Sequence, residues 1–124
     1  MYVVSETEQR TTRTPAADVF ALAAPSQGSV EIATWRVEIG AGSATPVHSI
    51  DREQVWMPLS GVFEVLVGDR AERVGAGQAA ILPAGAVRRV VAVGGAAEAL
   101  VAMGVGGTAA VPGGESGIPL PWAQ

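Results

Sequence analysis

From Val30 to Met103 the apolar runs of this chain are short, and each ends at a turn built on glycine or proline. The runs recur at roughly 8 to 12 residues, the rhythm of a β-sandwich or barrel. This punctuation constrains the fold more than any other feature. Sixteen glycines and eight prolines in 124 residues exclude long helices, because both residues weaken a helix interior. They suit short strands joined by turns. The clearest strand is Val30 to Ile39, where Trp35, Val37 and Ile39 fall on one face and Arg36 and Glu38 on the other.

Further strands are predicted over Glu53 to Leu59, Val62 to Val67, Ala71 to Val74, Gln78 to Leu82, Arg88 to Val93 and Ala97 to Met103, with a short extended piece at Val47 to Ser49. The turns between them are Ser60-Gly61, Gly68-Asp69, Gly75-Ala76-Gly77, Pro83-Ala84-Gly85 and a hairpin at Gly94-Gly95. Before them, Tyr2-Val3-Val4 reads as a short strand followed by an exposed extended segment. Ala16 to Ala24, bracketed by Pro15 and Pro25, is open between a helical turn, a strand and a loop. Beyond Gly104 the chain is a Gly/Pro-rich tail. Ile118, Leu120 and Trp122 alternate there, so its end is expected to lie on the barrel. The length fits one domain, with a core at about 30–103, an N-terminal segment at 1–29 and a tail at 104–124.

Composition removes several function classes. The net charge is −4, and no basic residues cluster apart from Arg88-Arg89, which argues against nucleic acid. The absence of cysteine excludes disulfides, thiolate metal sites and cysteine nucleophiles. No apolar run reaches the roughly 18 to 20 residues that span a bilayer, and the first residues lack the pattern of a signal peptide. A soluble, cytoplasmic protein without membrane partners is the expectation.

Chemically capable groups concentrate between Gly42 and Gly61. This stretch holds the only histidine, His48, with Asp51, Glu53, Gln54 and Trp56 close behind it. Side chains alternate along a strand, so if Gln54 points inward, Glu53 points outward. Gly42 precedes His48 by a five-residue gap, and Gly61 closes the stretch. Gly77 precedes Pro83-Ala84-Gly85 by the same gap. This skeleton resembles the two motifs of the cupin superfamily, G-x5-H-x-H-x3-E-x6-G and G-x5-P-x-G-x2-H-x3-N.

The resemblance implies an all-β fold, a small antiparallel barrel or jelly roll, and pairing as a homodimer. It also places a His, His, Glu, His metal set at positions that here carry His48, Ile50, Gln54 and Arg88, with Ala92 at the asparagine position. Ile50 has no donor, Gln54 is a weak one, and Arg88 carries a permanent positive charge where an ion would sit. The expectation is therefore no metal and no other cofactor.

If the cupin register holds, His48, Gln54, Trp56 and Arg88 face the barrel interior, with Trp35 as a further wall. His48 would move a proton and Arg88 would hold an anion, while Gln54, Trp56 and Trp35 bind the rest of the ligand. The plainer readings are a hydrogen-bonded structural histidine, a solvated arginine pair at a strand end, and core tryptophans. The expected function is a metal-independent acid–base enzyme of isomerase, cyclase or dehydratase type. Its substrate would be a small organic anion of aromatic or polyketide-like character, bound in the barrel. A non-catalytic binding or sensing module, and a metal-dependent cupin with rearranged ligands, are the alternatives.

Overall fold

The computed structural model describes all 124 residues. Ten strands follow one another along the chain: β1 Thr11–Arg13, β2 Ala17–Ala21, β3 Ile32–Ile39, β4 Ser49–Ile50, β5 Gln54–Val67, β6 Arg70–Gly75, β7 Ala80–Leu82, β8 Arg88–Gly104, β9 Thr108–Ala110 and β10 Ile118–Pro119. One antiparallel sheet runs β1-β2-β3-β8-β5-β6, and β7 joins the same edge of β5 at the beginning of that strand. A smaller sheet runs β10-β9-β4. The two sheets meet where the segment before β4 crosses to β8, through the bridges Ala44↔Val91 and His48↔Arg88.

The alternation in β3 does what the sequence requires. Ala33, Trp35, Val37 and Ile39 are buried, and the residues between them are partly exposed. Trp35 lies opposite Val101, and Val101 lies opposite Trp56. Directly opposed residues share a face, so β3, β8 and β5 turn one apolar surface inward. Phe63, Ile39, Ile50, Leu82, Val90 and Val101 are wholly buried within it. Each such side chain stabilises the fold by about 1.5–3 kcal/mol on the usual area scale.

Two turns expected from the sequence are not turns. Ser60-Gly61 lies inside β5, and Gly94-Gly95 lies inside β8. The β5–β8 ladder slips register between Pro58 and Val62, so the two long strands bend together as a bulge. Gly61 explains the choice of residue. Its φ is 72°, and a Cβ there would sit 2.5 Å from the Ala96 carbonyl oxygen and 2.8 Å from Ala97. A bulge and a hairpin turn both call for a glycine at positive φ, so composition alone does not separate them.

The ends of the chain also differ from expectation in detail. Tyr2-Val3-Val4 forms no strand and is largely exposed; the first strand comes later, at β1. The stretch between Pro15 and Pro25 forms β2, which pairs with β3 over five residues and buries Val19 and Ala21. At the other end Leu120 and Ala123 join the core, and Trp122 packs against Trp35 at 6.2 Å between ring centroids. On the outer face, Arg36 lies over the Phe20 ring and binds Glu6, Glu38 and Glu98, tying the first residues to the sheet.

Candidate functional site

β5 begins at Gln54, and strand parity turns Gln54 and Trp56 inward while Glu53 is left exposed. β8 begins at Arg88 immediately after the Pro83–Val87 turn, so Arg88 also points inward. It is only 2% exposed. These side chains meet at one atom. Oε1 of Gln54 accepts a hydrogen bond from Arg88 Nη2 at 2.9 Å and another from Trp56 Nε1 at 3.1 Å. Arginine and tryptophan can only donate, so both bonds fix the amide with its oxygen toward them. The amide nitrogen then faces the sulfur of Met103 at 3.5 Å. Trp56 packs edge-on against Phe63, 5.7 Å away.

Arg88 has no carboxylate partner. Its side-chain bond goes to a neutral amide, and Nη1 is buried with no partner at all. Burial disfavours the charged form and pulls its pKa down to about 10, which still leaves it cationic near neutral pH.

His48 stands beside Arg88. The two residues exchange both backbone hydrogen bonds, at 3.1 and 2.8 Å, so their side chains leave the same face. Nδ1 of His48 lies 2.6 Å from the Pro46 carbonyl oxygen. A carbonyl only accepts, so Nδ1 carries the proton and Nε2 keeps its lone pair. Desolvation lowers the His48 pKa. The Pro46 carbonyl opposes that shift, and the Arg88 charge adds to it. The result is a neutral imidazole next to a buried cation.

Trp35 occupies the same transverse row as Trp56, with β8 between them, and lies against Trp122. The structure thus brings Gln54, Trp56, Arg88 and His48 together and sets Trp35 apart from them, against Trp122. Instead of lining an open pocket, as the sequence suggested, Gln54, Trp56 and Arg88 are all buried. A groove of about 420 Å³ opens nearby, where β6 and β7 part along the edge of β5. Its inward lining includes Val65, Val67, Val74, Ala80 and Leu82. Register connects it to the cluster: Leu82 opposes Gln54, Ala80 opposes Trp56, and Val67 opposes Arg88. Groove and buried cluster are therefore adjacent parts of one inner face.

The sequence profile of the Cupin domain family matches residues 35–103. The chain belongs to the cupin family. Solved cupin-fold structures are similar to it at low identity. The polyketide cyclase RemF from Streptomyces resistomycificus superposes with a TM-score of 0.67 at 23% identity, over 82% of this chain and 73% of that one. KdgF from Halomonas sp. gives 0.67 at 16% identity, over 80% and 92% of the two chains. Oxalate decarboxylase from Bacillus subtilis gives 0.74 at 15% identity, over 82% of this chain and 28% of the other. No curated protein matches the sequence.

The positions at which the motif of this cupin would hold a metal do not fit a divalent ion. Ile50 is apolar and 1% exposed. Both lone pairs of Gln54 Oε1 already accept hydrogen bonds. Arg88 places a cation among them, and no group of three His, Cys, Asp or Glu side chains gathers anywhere in the chain.

One contributor, Met103, was not singled out from sequence, and Asp51, grouped there with the capable residues, has a role that the sequence did not suggest. Met103 closes the cluster through its sulfur, and Ala97 to Met103, with apolar residues on both faces, gave no signal of which face turns inward. Asp51 binds the backbone N–H of Thr108 at 2.7 Å and its hydroxyl at 3.2 Å, which locks β4 to β9 beside the site. No local pattern announces that contact.

Proposed function

We propose that this cupin binds a small organic anion in its barrel and acts on it by metal-independent acid–base chemistry. The observation that carries the reading is Arg88: a buried guanidinium with a free donor, no counter-ion, and a neutral histidine beside it. A cation left unpaired in a dry site costs stability unless a ligand supplies the charge.

An enolate or phenolate oxygen suits the arrangement. Nε2 of His48 takes a proton from a carbon next to a carbonyl, and Arg88 holds the oxygen on which the negative charge develops. Returning that proton to another carbon is an isomerisation. Attack of the enolate carbon on a second carbonyl of the same molecule forms a ring, and the proton ends on the new alkoxide. Loss of water from that product gives an aromatic ring. Trp56 and Phe63 provide flat apolar surface nearby. The likeness to a polyketide cyclase structure agrees with this class of chemistry.

The test uses short poly-β-keto thioesters, with ring formation followed by absorbance. Turnover by the native protein, lost in His48→Gln while substrate binding persists, is the expected result. Native-level turnover in His48→Gln would refute the acid–base role. Binding without turnover in either protein would make the chain a binding module. Stoichiometric metal in protein purified without an affinity tag would overturn the metal-free reading.

A further inference from the structure

The site lies on a row that crosses three strands and ends at the bridge residue His48. Arg70 in β6 opposes Val67 in β5, Val67 opposes Arg88 in β8, and Arg88 opposes His48. Opposed residues in antiparallel ladders share a face. The row therefore presents two guanidinium groups on either side of one valine. Their backbones are two strand spacings apart, roughly 10 Å. Arg88 is the buried member. Arg70 is the open one, with 77% of its side chain exposed where it lines the groove.

We infer that Arg70 is a second, outer anion anchor, and that the ligand is an elongated organic acid with acidic or enolic oxygens near both ends and an apolar body between them. The inference rests on the reading of Arg88 given above and extends it to the far end of the ligand.

Three observations support it. The groove beside Arg70 has apolar walls, provided by Val65, Val67, Val74 and Leu82, and Val67 opposes the buried Arg88 across the ladder. The charged lining of the groove is Arg70, Arg73 and Glu72, two positive against one negative, with Arg73 itself paired to Glu64 at 3.6 Å. This stands in a chain whose net charge is −4. Arg70 also has donors to spare. It is tied to Glu72 through Nη2 alone, at 2.9 Å, in a pair too exposed to resist exchange. Nε and Nη1 remain available for a carboxylate without breaking that bond.

Calorimetric titration with biphenyl-4-carboxylate, biphenyl-4-carboxamide and biphenyl-4,4′-dicarboxylate separates the two ends. The diacid spans about two strand spacings. It is expected to bind the native protein roughly tenfold more tightly than the monoacid, the worth of one partly exposed charge-assisted bond. Arg70→Gln should bring the diacid to the affinity of the monoacid and leave the monoacid unchanged. Equal affinity of monoacid and diacid for the native protein, or a diacid indifferent to Arg70→Gln, overturns the outer anchor and leaves the reading of Arg88 intact. Equal affinity of monoacid and carboxamide refutes the anionic head at Arg88 and, with it, this inference. Binding of none of the three at millimolar concentration overturns both. Arg70 is exposed and the carboxamide needs no variant, so neither comparison depends on altering the core.

Discussion

Replacing Arg88 with methionine should make this protein more stable while destroying its function. The guanidinium is 2% exposed, and burial alone pulls its pKa down to about 10. That fall from the ordinary value corresponds to roughly 3 kcal/mol by which the charged form destabilises the folded state. Gln54 would lose one donor but keep Trp56, so the broken bond costs about 1 kcal/mol. Methionine is flexible and apolar and fits beside Met103. The balance is a gain of about 2 kcal/mol, or a rise in Tm of about 8 °C for a domain of this size.

Chemical denaturation of the ligand-free protein at pH 7.5 gives the comparison directly. The pH dependence gives a second check. Below about pH 10 Arg88 is charged in both states and the full penalty applies. Above it, the folded state releases the proton while the unfolded chain still holds it, so native stability rises with pH and Arg88→Met lacks that rise. A variant less stable than native by more than about 1 kcal/mol at pH 7.5 would refute the reasoning, because it would mean that Arg88 has a partner in the empty fold. The expected pairing of higher stability with lost ligand binding is the signature of a charge kept for function.

Acidification should weaken the fold through His48. Its folded pKa lies below 6.5, so as pH falls through that value the unfolded chain takes up a proton first. The His48 contribution is complete above pH 6.5 and declines below it. Melting curves of native protein and His48→Gln across pH 4.5 to 7.5 should diverge only on the acid side, and parallel curves would contradict a neutral, partly desolvated imidazole. Gly61→Ala should cost more than about 2 kcal/mol, since its Cβ would meet the Ala96 carbonyl at 2.5 Å with φ at 72°. A loss below about 0.5 kcal/mol in urea denaturation would show that the β5–β8 bulge relaxes freely.

The skeleton of this cupin was legible because glycine and proline are demanded by backbone geometry, and the spacing of Gly42, His48, Gly61, Gly77 and Pro83 survives whatever the side chains do. The lengths of β5 and β8 were not legible, because Gly61 and Gly94 answer equally to a turn and to a bulge. The inward direction of Gln54 and Trp56 followed from parity, and so did the demotion of Glu53. What parity does not give is register across strands. Met103 beneath Gln54, Val67 beside Arg88 and Arg70 beyond it are neighbours only once the ladders β5–β8 and β5–β6 are aligned. The site differs from a metal centre for the same reason. Sequence shows single replacements at Ile50, Gln54 and Arg88, but their effect is collective. Gln54 uses both lone pairs on Arg88 and Trp56, so its oxygen is committed to holding the cation in place. A histidine at position 88 would restore one donor and still leave Ile50 without any. The three positions form one arrangement with a positive charge where a metal would bring its own, and the ligand proposed for it is one that carries the opposite charge.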